Sequence, residues 1–287
     1  MVVNIKESEF VWVPVEDVVF DEKNISKLPI NESDGTISEK NYKPMAINID
    51  GNYYGLLYNY DSNGIYLKYG ENKNYQGGGL DSREPYVVSY DQEDYAKEGI
   101  EQNNLQKEYN DMIESILRYK GFYIARYEAG LDKKTNEIVF KDASKDENNV
   151  ITTDASNSKT YGWYGLYKKI REFTNDDDLV VSNMIWGSQY DAMLNWISKN
   201  GYDVASIDNT KRNKFTITGK QKDDVINNIF DLYGCHREWT LEAYSSNRVI
   251  RGSDYDNITS SISFRNNDGP DKNYDTHSVR ASLYIKN

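Results

Sequence analysis

At 287 residues the chain has room for one large domain or two small ones, and although only 38% of its residues are hydrophobic, its 25 tyrosines, 8 phenylalanines and 5 tryptophans supply burial units that a disordered chain lacks. A net charge of -12 and a pI of about 4.8 set the surface against phosphate backbones, which excludes nucleic acid as the main partner. A single cysteine, Cys235, excludes an intrachain disulfide.

The chain opens on Met1-Val2-Val3-Asn4-Ile5-Lys6-Glu7, which has neither the basic nor the apolar segment of a signal peptide. No apolar run approaches the ~20 residues that span a bilayer, so membrane insertion is not expected. Glu9-Phe10-Val11-Trp12-Val13-Pro14-Val15 reads as a first strand with Phe10 and Trp12 in the core. Residues 16–100 carry the least pattern. Within them, Tyr53 to Tyr58 and Ile65 to Leu67 flank Asp61-Ser62-Asn63-Gly64 and predict a β-hairpin on an Asn-Gly turn. Asp61-x-Asn63-Gly64 lacks the remaining ligands of a calcium loop. Gly77-Gly78-Gly79 has no following Lys-Ser/Thr pair and reads as a plain loop rather than a phosphate cradle.

Leu105, Tyr109, Met112, Ile113, Ile116 and Leu117 recur at helical spacing, which predicts a helix over 103–119 stopped by Gly121. Phe122 to Glu128 reads as a strand, and the polar stretch 132–158 as an exposed loop or hairpin. Trp163, Leu166, Tyr167, Ile170 and Phe173 mark a second helix with a solvated exit at Asn175-Asp176-Asp177-Asp178. Lys168-Lys169 with Arg171 is the densest basic spot and falls on this helix. A third helix is expected to begin at Ser188 with Asp191 in a capping-box arrangement. Tyr190, Met193, Leu194 and Ile197 form its buried stripe, and Gly201 ends it.

The last sixty residues are the most specific. They carry Asn227-Asn228-Ile229-Phe230-Asp231-Leu232-Tyr233-Gly234-Cys235-His236-Arg237-Glu238-Trp239-Thr240, then Arg248-Val249-Ile250-Arg251-Gly252-Ser253, and a closing strand Val279-Arg280-Ala281-Ser282-Leu283-Tyr284-Ile285. In order and spacing these blocks resemble the formylglycine-generating, or sulfatase-modifying, family. Ser182 to Trp196 further resembles the version found in low-GC Gram-positive bacteria and their phages. The resemblance implies an α+β, elaborated C-type-lectin fold with small antiparallel sheets, about three helices and long irregular loops. It favours one domain over 1–287, with a variable insertion around 16–100. In that fold Glu238, Trp239, Arg251 and Arg280 are implied to be a buried structural framework in which carboxylates and guanidinium groups tie loops to the core.

The departures bear on activity. The family's enzymes use two cysteines to bind copper after the Arg-Gly block, and the corresponding stretch here, Asp256 to Phe264, has none. One thiolate does not make a two-thiolate copper site. Cys235 stands where the family has an asparagine and is read as a half-buried structural thiol. No enzyme activity, no catalytic residue and no metal centre are therefore expected. A copper- or thiol-dependent oxidase is the least favoured alternative. Calcium, which relatives hold near this block, is left open but discounted because cysteine is a poor ligand for a hard cation. His236 and His277 have no metal-ligand spacing, and the histidine triad of iron-dependent relatives is absent. Asp268, Asp271 and Asp275 are explained by a Gly-Pro turn.

Such scaffolds present variable side chains on loops. The expected ligand-binding residues are Tyr244, Asn247, Tyr255, Asp256, Asn257, Asn266, Asn267 and Tyr274, a tyrosine and asparagine mixture suited to adaptable recognition. The resemblance implies a non-catalytic module of a phage or phage-tail-like particle, made in the cytoplasm and carried on a virion or extracellular particle. Its partners would be other particle subunits and a host cell-surface carbohydrate or protein. The alternative is a structural baseplate or decoration protein without a ligand.

Overall fold

A computed structural model describes residues 1–15, 18–19, 46–49, 52–54, 57–61, 64–68, 84–93, 100–132, 134–144, 161–204, 217–256 and 260–286. Its strands in chain order are β1 (Val2–Ile5), β2 (Ser8–Pro14), β3 (Val18–Val19), β4 (Ala46–Ile49), β5 (Asn52–Tyr54), β6 (Leu57–Asp61), β7 (Gly64–Lys68), β8 (Gly121–Ala125), β9 (Gly130–Leu131), β10 (Ile138–Val139) and β11 (Val180–Met184), followed by β12 (Val225–Ile226), β13 (Ile229–Phe230), β14 (Arg237–Tyr244), β15 (Asn247–Arg251), β16 (Arg265–Asp268), β17 (His277–Val279) and β18 (Ala281–Ile285). The described helices are α1 (Gln102–Tyr119), α2 (Trp163–Phe173) and α3 (Gly187–Lys199). The architecture is α+β, with, among the described residues, three α-helices around small, mainly antiparallel sheets.

The main sheet has the order β1-β2-β8-β18-β11 and is antiparallel throughout. The first and last predicted strands thus lie in one sheet, with β8 between them. Phe10 is buried as expected, and so is Leu283 of the closing strand, but Trp12 is only half-buried. The side chain of Trp12 lies on the outer face across Tyr123, ring centroids 4.8 Å apart. A Cβ at Gly121 would sit 2.3 Å from the Trp12 ring and 2.5 Å from the Val13 carbonyl, so this glycine serves a close approach. It does not stop α1. Lys120 does so, adopting the left-handed conformation (φ 61°) and donating its N–H to the Ile116 carbonyl.

α1 packs across β8 and β18, and α2 against β11. The predicted stripes point inward: Leu105, Tyr109, Met112, Ile113 and Ile116 of α1 are buried, as are Trp163, Leu166, Tyr167, Ile170 and Phe173 of α2. The side chain of Leu117 lies outside the described residues. The aspartates after α2 form the solvated exit, with Asp177 accepting the N–H groups of Leu179 and Val180. α3 starts one residue earlier than expected. Trp186 is its cap, and Gln189, not Asp191, reaches back to the Trp186 N–H at 3.1 Å. Gly201 ends the helix at φ 91°.

The stretch from 132, expected to be an exposed loop or hairpin, begins as a hairpin in which β10 pairs with β9, but Ile138, Val139 and Phe140 are buried and not exposed. Residues 145–158 lie outside the described set. The predicted hairpin is present as β6 and β7, with Asp61 opposite Gly64. Gly64 is therefore a strand residue, and Ser62 and Asn63 lie outside the described residues, as do Gly77, Gly78 and Gly79. No helix among the described residues is long and apolar enough to cross a membrane.

A second sheet, β16-β15-β14-β17, carries the Glu238-Trp239 and Arg248 to Arg251 blocks of the C-terminal region. β17 runs parallel to β14, and the other pairs are antiparallel. The closing segment read as one strand is divided: Val279 ends β17 in this sheet, and Ala281 begins β18 in the main one.

Candidate ligand face and the buried charge framework

The second sheet is built on buried charge. Arg280, 0% exposed, donates from Nε to Glu238 Oε1 at 2.7 Å, from Nη1 to the Ala125 carbonyl at 3.0 Å and from Nη2 to the Phe230 carbonyl at 2.9 Å. One side chain thus ties β8, β13 and β14 together. Burial pushes Glu238 up to about 7 while the Arg280 guanidinium draws it down, and Glu238 in turn holds Arg280 above its ordinary value. Arg280 keeps its charge, because a guanidinium does not give up its proton, and it supplies the counter-charge that favours the ionised form of Glu238. Trp239 is buried against His277 and Tyr274. Arg251 donates to Asp191 Oδ1 at 2.7 Å, and its guanidinium lies 4.8 Å from the Tyr190 ring centroid. Gly252 beside it takes φ 78°, a conformation that favours glycine.

The framework is larger than the four residues read from sequence. Arg248 pairs with Asp91 at 2.6 Å, both side chains 0% exposed, and lies 4.3 Å from the Trp163 ring centroid. Asp91 also accepts from Tyr164 Oη and the Val88 N–H. Arg265 pairs with Glu242. One sequence signal was available. Glu238, Thr240 and Glu242 alternate with Trp239, Leu241 and Ala243 along β14, the period of a strand with one polar face. Such a face ordinarily meets water, whereas here both sets are buried.

Glu84 completes the network. It is fully buried and accepts the Ser188 N–H at 3.2 Å, in the first turn of α3. A Cβ on Gly187 would fall 2.0 Å from Glu242 and 2.8 Å from Glu84, so two carboxylates crowd this helix end. Burial, helped by Asp191, pushes Glu84 up to about 7 against the hydrogen bonds from Ser188 and Gly187. The folded protein therefore keeps a proton that the unfolded chain releases from its ordinary value of 4.5 upward, and stability falls as pH rises through the window to about 7. Glu84→Gln keeps an acceptor for Ser188 and removes the titration. The loss of stability from about pH 5 to about pH 8 is expected to shrink by up to about 3 kcal/mol, read from urea melts across that range. An unchanged slope would show that Glu84 does not titrate there.

Cys235 is fully buried rather than half-buried. Burial and the Glu128 and Asp231 carboxylates raise its thiol well above the ordinary value, so it stays protonated and unreactive. Glu128 accepts both the His236 backbone N–H (3.0 Å, Oε1) and the His236 ring at Nδ1 (2.8 Å, Oε2). Glu128, Cys235 and His236 bring one ligand atom each within 4.8 Å of one another and are the metal-capable group among the described residues. Both oxygens of Glu128 are already engaged by His236, which accounts for the cluster as a hydrogen-bonded unit. Burial lowers the pKa of His277, which is held between Asp268 (2.8 Å) and Thr276 (2.9 Å).

The expected ligand residues fall into two groups. Tyr244 and Asn247 flank the β14–β15 turn, where Ser245 takes φ 54°. Asn247 Nδ2 donates to Asn267 Oδ1 at 2.7 Å, and Asn266 is exposed beside it. Tyr274 joins this group indirectly: it stacks on His277 (4.6 Å), whose ring meets Asp268 next to Asn267. Tyr255 and Asp256 lie past the other end of β15. Tyr255 stands edge-on to His236 at 6.1 Å, and Asp256 is exposed. Asn257 lies outside the described residues.

No protein-family model matches the chain, and no curated protein matches it. Among solved structures the chain is similar to PvdO from Pseudomonas aeruginosa, at 13% identity and a TM-score of 0.34 over 57% of this chain and 81% of that one, a likeness too slight to carry an argument.

Proposed function

We propose that the protein is a non-catalytic binding module on a formylglycine-generating-enzyme-like, C-type-lectin-type scaffold, used by a phage or phage-tail-like particle to recognise a host cell-surface carbohydrate or protein. The observation that supports it most is the rim of the second sheet. Tyr244, Asn247, Asn266 and Asn267 offer partly exposed donors, acceptors and a flat ring on strands whose interior is held by buried arginine–carboxylate pairs. A fixed base under adaptable polar side chains lowers the entropy lost on binding. A thiol oxidase is disfavoured by the burial and protonation of Cys235.

The test is attachment of the purified protein to host cells and cell-wall fragments, comparing the wild type with a Tyr244→Ala, Asn266→Ala, Asn267→Ala variant whose melting temperature is unchanged. At least a tenfold loss of binding is expected. Equal binding by both removes this rim from the site, and no binding by either favours a structural particle component.

A further inference from the structure

The main sheet has two edges, and the described residues cap one of them. At β11 the outward backbone N–H groups of Val180 and Ser182 donate to side chains of the α2–β11 connection, Asp177 Oδ1 at 3.0 Å and Thr174 Oγ1 at 2.7 Å. β1 forms the other edge. Its ladder to β2 runs from Ile5 opposite Ser8 to Val2 opposite Val11, and one step further the Trp12 N–H donates to the Met1 carbonyl. Along an antiparallel pair, residues that exchange both bonds alternate with residues that exchange none. Met1, Val3 and Ile5 therefore bond inward to β2, and the N–H and C=O groups of Val2 and Asn4 point away from it. Among the described residues these outward groups have no backbone partner.

Proteins usually blunt such an edge with charge, proline or a bulge. β1 reads Val2-Val3-Asn4-Ile5 and pairs with β2 residue for residue. It carries none of these devices. Met1 and Val2 are exposed there, at 81% and 41%.

The strand is complementary to itself. Set antiparallel to a second copy with Val3 opposite Val3, it brings Val2 opposite Asn4 of the copy and Asn4 opposite the copy's Val2. Both outward residues of each strand then meet, and all their backbone groups are bonded. A shift by two residues leaves one outward residue of each strand unmatched, and a shift by one sets outward groups against inward ones. The side chains agree with this register. Met1, Val3 and Ile5 lie on one face of the strand, and Val3 and Ile5 are packed against the core. Val3 meets Val3 across the two-fold axis and exposed Met1 meets Ile5, so an apolar row continues from one copy to the next. No charged side chain lies within the strand, which matters for self-association of a chain of net charge -12.

We propose that β1 is a homodimerisation edge, at which two copies of this chain pair β1 to β1 about a two-fold axis at Val3 and join their five-stranded sheets into one. The contact is isologous, as a two-fold axis requires. So short a ladder buries much less than the ~800 Å² per partner of a standard interface, so the dimer is weak and depends on concentration. The proposal does not depend on the rim being a receptor-binding face.

The experiment is sedimentation equilibrium of the full chain from about 10 μM to about 1 mM, with amide exchange followed by NMR over the same range. The average mass should climb toward that of a dimer. The Val2 and Asn4 amides should slow by about threefold or more as it does, while those of Val3 and Ile5, already bonded to β2, change little. Asn4→Pro removes an outward N–H and leaves the bonds to β2 in place. Val3→Lys and Val3→Glu each set two like charges face to face at the axis, and they cover the case in which the proline variant fails to fold. Each folded variant should weaken dimerisation at least tenfold. An equimolar mixture of Val3→Lys and Val3→Glu should restore it, which damage to the fold would not allow. A monomer across the whole range, dimerisation unchanged in the folded variants, or a mixture no better than its separate parts would overturn the proposal.

Discussion

Deleting residues 1–15 is expected to abolish the cooperative thermal transition. β2 lies between β1 and β8 and pairs with β8 from Phe10 opposite Ala125 to Pro14 opposite Gly121. The deleted segment buries Phe10, Val11, Val13 and Val15, and the Phe10 ring centroid lies 5.7 and 5.9 Å from those of Phe140 and Phe173. At roughly 1.5–3 kcal/mol for each fully buried side chain, these four alone approach the ~5–15 kcal/mol by which a typical protein is stable. The deletion also uncovers the β8 ladder and removes the Ser8 hydroxyl that accepts the Phe140 N–H. Circular dichroism melts are the measurement. A truncated chain that melts at the parent temperature would show that this strand is not part of the cooperative unit.

The second large effect is expected at Arg280. Replacing it with methionine leaves Glu238 buried without its cation and leaves the Ala125 and Phe230 carbonyls without their donors. Breaking a buried pair from one side costs roughly 3–5 kcal/mol. Glu238→Gln keeps an acceptor for the guanidinium and should cost less. The double variant Glu238→Met, Arg280→Met should recover part of the loss, since the stranded charge is gone, but not all of it, since the two carbonyls remain unmet. Urea unfolding of the three variants gives these values. If Arg280→Met costs under about 1 kcal/mol, the pair is not a structural tie.

Much of the architecture could be read from spacing. The apolar stripes of α1 and α2 and the strands β2 and β8 need only local periodicity, and the elements are where that periodicity puts them. The boundaries were harder, for physical reasons. Gly121 looks like a helix stop, yet a lysine bears the left-handed turn and the glycine makes room for Trp12. Ser188 looks like a cap, yet its N–H faces a carboxylate from 104 residues away. Nothing local marks Arg248, Asp91, Glu84 and Asp191 as buried charges, because single residues do not show their partners. Their pairing exists only once distant segments have met. The loop tyrosines and asparagines were legible as a composition, but not that Tyr274 turns inward onto His277 while Tyr255 stands apart on His236.

A single residue separates β17 from β18, so one extended stretch of backbone belongs to both sheets. Domain closure requires a few residues free to absorb a change in φ and ψ. At this crossing the only candidate is Arg280, and its side chain is held by three acceptors on three other strands. The crossing thus behaves as a rivet and offers no swivel. Were a partner to dock on the rim, it would meet a preset surface, and changes in its affinity would come from exchanging side chains there, without a jaw-like motion of one sheet against the other.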